Sequence, residues 1–208
     1  MVIDKIAAVA EQTFQDRTWQ EALPHLRLFA KIDEDLDKPY TSRQKAFWKT
    51  LAGGIFLVGL HNHAGEHEVY FHRIRGEHEH MYRAWLDWCE LGSSHLNRDA
   101  ETFGHAVMAA SSCRQFILTE KGYIGWANEE CKVGDEIVLM PGGLVPYILR
   151  PCTQGVSDDI KARLCTFIGD AYVHGVMDGQ AWIESDEMKS IIILPRDYGD
   201  NDDDNDDD

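Results

Sequence analysis

Six of the ten histidines, His61, His63, His67, His72, His78 and His80, fall within twenty residues and alternate with Glu66, Glu68, Glu77 and Glu79. These are the donors from which zinc and iron centres are built. Their spacing is less favourable than their number. His67 and His72 stand one residue too far apart for an H-E-x-x-H helix, since five steps at 3.6 residues per turn separate two side chains by about 140°. His61 and His63 share a face only on a strand, and His63 and His67 share one only on a helix. A metal centre from His61, His63 and His67 therefore requires a strand-to-helix junction near Gly65. The other reading is a polar linker whose histidines respond to pH between about 5 and 7.

The remaining reactive residues are scattered. Cys113 or Cys131 could meet His174 and Asp178 in space, but nothing local marks either thiol as activated, and there is no G-x-S-x-G elbow. Neither glycine-rich phosphate loop, G-x-x-x-x-G-K-[ST] or G-x-G-x-x-G, occurs, so no cofactor is expected. Tyr172, His174 and Asp178 cluster around Gly175. They are the best candidates for holding a small polar ligand, although a polar turn in which Asp178 caps backbone amides and His174 bonds a carbonyl is the simpler role. His61-x-His63 followed by Glu68, with Gly134-Asp135 running later to Pro141-Gly142-Gly143, resembles the two cupin motifs in order. The second lacks its histidine and the first lies between helical patterns, so no cupin centre follows.

The elements that must position these residues divide the chain. Ile3, Ile6, Ala7, Ala10 and Phe14 recur at helical spacing. Thr18-x-x-Glu21 is a capping box before Leu26, Phe29 and Ala30, with Pro24 set to kink that helix or move its start. A second box, Thr41-x-x-Gln44, precedes Ala46, Phe47, Thr50 and Leu51 and stops at Gly53-Gly54. Met81, Trp85, Trp88 and Cys89 make a fourth helix closed by Gly92, and Asp99 can cap a fifth carrying Phe103, Ala106, Val107 and Ala110. After Ser112 the pattern changes to short apolar runs: Gln115 to Thr119, Tyr123 to Trp126, Glu136 to Met140, Leu144 to Arg150 and Leu164 to Ile168. Apolar residues at consecutive positions predict strands covered on both faces. The expected fold is α+β: a mainly helical region 1–112 with a histidine-rich linker, packed on an antiparallel β-barrel-like domain 113–195, then an acidic tail 196–208. The tail lacks the apolar residues that would offset the entropy of ordering and is expected to be disordered.

Charge and composition exclude several functions. With 20 Lys and Arg against 36 Asp and Glu, the chain carries −16 at pH 7, which argues against nucleic acid as a partner. Seven of those charges are the Asp residues of Asp200–Asp208, so the remainder carries −9. The tail suits a solubilising role, or a weak, salt-sensitive contact with a basic partner. The longest apolar run, Gly54 to Leu60, is far short of the ~20 residues that cross a bilayer, so no membrane role is expected. Five cysteines without a C-x-x-C pair, and no signal-like start, point to a reducing, cytoplasmic setting.

The second half carries a family pattern. The run RQFILTEKGYIGWANEECKVGDEIVLMPGGLVPYILRP from Arg114, followed by FIGDAYVHGVMDGQAW from Phe167 to Trp182, resembles the C-terminal region of fungal heterokaryon-incompatibility (HET-domain) proteins. Their blocks R-x-F-F-x-T-x-x-G-Y-I-G, G-D, G-G-x-x-P-Y-x-L-R-P and Y-V-H-G-I-M-D-G-E-A all appear here in order. Lys45 to Leu51 resembles the family's aromatic-Trp-Arg-Thr-Leu helix, with Lys49 at the Arg position, and Gln180 stands where the family has Glu. The HET domain itself has no counterpart in residues 1 to 40. The resemblance implies a recognition or regulatory module that works through a protein partner, and the lack of any assembled catalytic spacing makes a non-enzymatic role the expectation. Its rival is a metal-binding protein or small metal-dependent enzyme built on residues 61–80.

Overall fold

The computed structural model describes residues 1–10, 18–34, 39–61, 67–91, 97–152, 163–178 and 190–194. In chain order their elements are strand β1 (Val2–Val9), helices α1 (Trp19–Phe29) and α2 (Arg43–Leu51), strands β2 (Ile55–His61) and β3 (His67–Arg73), helices α3 (Glu79–Leu91) and α4 (Arg98–Ser111), and strands β4 (Arg114–Thr119), β5 (Ile124–Asn128), β6 (Glu136–Val138), β7 (Tyr147–Pro151), β8 (Arg163–Val173) and β9 (Ile191–Leu194). The expected acidic tail lies outside the described residues, as does Gly92.

Four expected helices form and one does not. α1 starts at Thr18, whose backbone N–H donates to Glu21 Oε2 at 3.2 Å, and it runs through Pro24 without moving its start. Burial of Ala22, Leu23 and Leu26 offsets the backbone bond that Pro24 cannot make. Ser42, not Thr41, caps α2, accepting from Lys45 N at 3.3 Å, and Asn97, not Asp99, caps α4, accepting from Ala100 N at 2.8 Å. α3 buries Met81, Trp85 and Cys89 as their spacing requires.

Residues 2–9, expected to be helical, form a strand that pairs with β4 on one side and β6 on the other. Register shifts between Val2 and Asp4 and between Ile6 and Ala8 break the two-residue alternation. Buried Ile3 and Ile6 therefore fall three apart and imitate helical spacing. The histidine-rich linker is also a correction. Its Ile55–His61 and His67–Arg73 runs pair antiparallel as a two-stranded sheet, from Ile55↔Arg73 to His61↔His67. β-branched and aromatic residues in both runs favour this pleat.

The main sheet has the order β5-β4-β1-β6-β7-β8-β9, and β8 also pairs with β5. The ladder through six strands thus returns to its first member. Every pairing in it is antiparallel, whereas β9 joins β8 in parallel, so the sheet is mixed rather than wholly antiparallel. Strands β4 and β5 are covered on both faces. Phe116 and Trp126, register partners with rings 4.9 Å apart, pack with Phe47, Trp85 and Phe103 from the helices. Their neighbours Ile117 and Ala127 join Ile3, Ile6, Ile137, Ile148, Ile168 and Val173 on the other side.

Two polar contacts join α2 to the sheet. Trp126 Nε1 donates to Thr50 O at 2.8 Å. Buried Arg43 reaches Ala30 O through Nε at 2.5 Å and Gly122 O through Nη1 at 2.9 Å. Among the described residues no helix is long and apolar enough to cross a membrane.

Candidate functional site

Tyr172, His174 and Asp178 do converge. β8 ends beside β5, with Trp126 opposite Tyr172 and Gly125 opposite Val173. That approach needs a glycine, because a Cβ on Gly125 would lie 2.1 Å from the Tyr172 carbonyl oxygen. The chain then turns through Gly175, at φ +85°. His174 N donates to Ile124 O at 3.0 Å. The Tyr40 hydroxyl accepts from Ile124 N at 2.9 Å and donates to His174 O at 3.0 Å. The ring of His174 meets the Tyr172 hydroxyl at 2.9 Å from Nδ1 and stacks at a tilt 5.4 Å from Tyr40.

Burial sets the protonation of this group. Desolvation, reinforced by the charge of Lys49, pushes His174 down to about 4, with Asp178 opposing. Desolvation raises the phenols of Tyr172 and Tyr40 above their ordinary value. At neutral pH the imidazole is uncharged, and its Nδ1 and the Tyr172 hydroxyl form one hydrogen bond whose donor is set by the ring tautomer. Two side-chain contacts define the turn: His174 bonds a hydroxyl through its ring, and Asp178 pairs with Arg73 at the end of β3.

The same cluster holds the base of the β2–β3 hairpin. Gly54, just before β2, sits at φ +72°, and a Cβ there would come 2.6 Å from the Tyr172 hydroxyl and 2.9 Å from its ring. Ile74 N closes the hairpin on Gly54 O at 2.8 Å. Sequence reasoning missed Tyr40, Gly54 and Arg73 as members of this site. Gly54 was visible as a helix stop, whereas nothing in the local spacing marks the other two.

The candidate metal residues are placed differently. His61 and His67 form the last register pair of the hairpin, and His63 lies outside the described residues. A second strand replaces the strand-to-helix junction that a three-histidine centre required. Among the described residues no three His, Cys, Asp or Glu side chains lie close enough to hold a metal ion. His72 and His78 pack against Phe56 at 5.8 and 5.0 Å, and His78 Nδ1 accepts from Arg75 N at 2.9 Å. Of the thiols considered, burial pushes Cys131 up to about 12, as it does Cys89. Neither is a ready nucleophile.

The polar residues of the sequence blocks bond one another. Arg114 of the first block grips Asp170 of the last with two bonds, 3.0 and 2.8 Å. Asp135 of the G-D block, almost fully buried, receives Arg150 Nε and Nη2 at 2.9 and 3.0 Å and Lys132 N at 2.8 Å. Four separated stretches of chain are thereby tied into one sheet.

Comparison with known proteins agrees with that geometry. The model of the Het-6 beta-barrel domain matches residues 56–192, well over half of the chain. Heterokaryon incompatibility protein 6, OR allele, from Neurospora crassa is 36% identical over 63 residues, which is 30% of this chain and 8% of that protein. The match thus spans a small part of the relative's length. No solved structure matches. Six strands returning on themselves, four motif blocks locked by their own ion pairs, and the extent of the family match together identify the chain as a member of the Het-6 beta-barrel domain family.

Proposed function

We propose that the chain is a non-enzymatic recognition module of heterokaryon incompatibility, acting inside the cell through protein contacts. The observation that carries this reading is the use of the motif polar groups. Arg114–Asp170, Asp135–Arg150 and Tyr172–His174 are paired internally, whereas the β2–β3 hairpin, whose base meets Tyr172, carries exposed apolar residues. Phe71 is 71% exposed, Tyr70 44% and Ile55 41%. Contact surfaces favour aromatic residues of this kind. Tyr172, His174 and Asp178 then serve as positioning residues for the hairpin rather than as a ligand pocket. The five free cysteines suit a reducing compartment, and the relative's name supplies the biological setting.

The test is capture of partners by the purified chain from a fungal lysate, compared with Phe71→Ala. Loss of a specific partner with an unchanged thermal melt is the expected result. Identical capture by both proteins overturns the assignment of the surface.

A second reading rests on the register pair His61↔His67. Directly opposed residues of an antiparallel pair lie with Cα atoms about 4.5–5.5 Å apart, close enough to begin a metal site. Stoichiometric zinc or iron in chain purified without a histidine tag or nickel resin, lost on replacing His61, His63 and His67 by Ala, would favour this reading over the first.

A further inference from the structure

We propose that the cleft bordered by α1, α2 and α3 binds a small amphipathic anion, a carboxylate or phosphate carried on a flat apolar body. The proposal goes beyond the protein-contact reading above and does not depend on it. The cleft has a volume of about 450 Å³, within the range of roughly 300–1,000 Å³ typical of small-molecule sites.

Its depth is apolar and aromatic. Ile32, Phe47 and Trp48 reach it from the core, and none is more than 6% exposed. Half-buried Tyr82 stacks on Trp48 with ring centroids 6.0 Å apart and planes 14° from parallel, so this wall is flat and suits a planar occupant. Trp48 Nε1 is a buried donor with no partner among the described residues. Buried donors are nearly always satisfied, and an occupant that carries an acceptor can supply the bond that the chain does not.

Charge at the mouth sets the sign of the ligand. Arg27, half-buried, and Lys45, exposed, both line the cleft, and neither is paired with a carboxylate among the described residues. The charge of Arg27 is felt at the Tyr82 phenol, which burial keeps protonated as a further donor. Two carboxylates also line the cleft. Glu79 is taken by Arg83, at 3.2 Å from Nε and 2.7 Å from Nη2, and the charge of Asp87 acts on the same guanidinium. Three cations against two carboxylates leave a local excess of +1 in a chain of net charge −16. A neighbouring cleft shares Arg27 but adds Asp33 and Glu90, and a cleft between residues 139–146 and 176–177 holds no charged side chain. Neither of those two favours an anion.

The test uses the full chain with 1-naphthyl phosphate and 1-naphthoate, and with 1-naphthol and inorganic phosphate as controls. At least one naphthyl anion is expected to bind about tenfold or more tightly than either control and to weaken as salt is raised. The tighter of the two names the headgroup. Binding should also shift the indole N–H resonance that Trp48→Phe removes. Lys45→Glu reverses a charge at the mouth and places a glutamate three residues after the Ser42 cap, where it completes a capping box and supports α2. That variant should melt no earlier than the parent and bind about tenfold or more weakly. Lys132→Glu, the same reversal at an exposed residue outside the cleft, should leave affinity within about twofold.

The proposal is overturned if none of the four compounds binds, or if naphthol or inorganic phosphate binds as tightly as the naphthyl anions. Binding that leaves the Trp48 resonance unmoved, or that falls equally in Lys45→Glu and Lys132→Glu, overturns it as well. Partner capture through Phe71 is unaffected by any of these results, so the two readings fail separately.

Discussion

His174 couples the fold to pH through one side chain. An exposed imidazole takes its proton near 6.5, whereas His174 in its place beneath Tyr40 and Tyr172 takes one only near 4. Between those values the unfolded chain binds more protons than the folded one, so stability falls as pH is lowered through that window. A shift of this size corresponds to about 3 kcal/mol, lost progressively between about pH 6.5 and 4. Denaturant titrations at pH 7 and 4.5 should show His174→Gln losing less stability on acidification than the parent. Equal losses would mean that the imidazole is not buried as described. The sequence showed that Tyr172, His174 and Asp178 belong together, because seven residues around a glycine cannot separate far. It could not show what buries them, since Tyr40 and Gly54 approach from more than a hundred residues away.

At the scale of elements, β1 is the most consequential. It lies between β4 and β6 in the sheet, and Ile6 N donates to Asp135 O at 2.9 Å. Ile6→Pro removes that bond from a strand paired on both sides and should cost more than about 3 kcal/mol, measured as a shift in the urea midpoint. A midpoint within experimental error of the parent would contradict the central placement. Strands β4 to β8 were legible because turn residues bracket each apolar run, β9 was not read, and four helices were legible from caps and period. β1 was not, since its bulges gave Ile3 and Ile6 the spacing of a helix, and the pairing that makes it a strand is with residues 117–119 and 136–138. The β2–β3 hairpin was masked by composition: its histidines read as a polar linker although Ile55, Phe56, Val69, Tyr70 and Phe71 favour strands.

For the whole molecule, the distribution of thiols reports the integrity of the fold. Cys89, Cys131 and Cys165 are buried, Cys113 is exposed and Cys152 is intermediate. Burial raises the first three above the ordinary thiol value. A thiol reagent at pH 8 should label Cys113 first and Cys152 more slowly, with the other three reacting only in denaturant. Early modification of Cys131 would show that the sheet opens locally. The position of β1 bears also on synthesis. Its two neighbours in the sheet are encoded more than a hundred residues later, and at roughly 5–20 residues per second the ribosome leaves it unpaired for on the order of ten seconds. Throughout that interval Ile3 and Ile6 are offered to whatever binds nascent apolar chain, so the yield of this protein in the cell should depend on chaperones that act during translation.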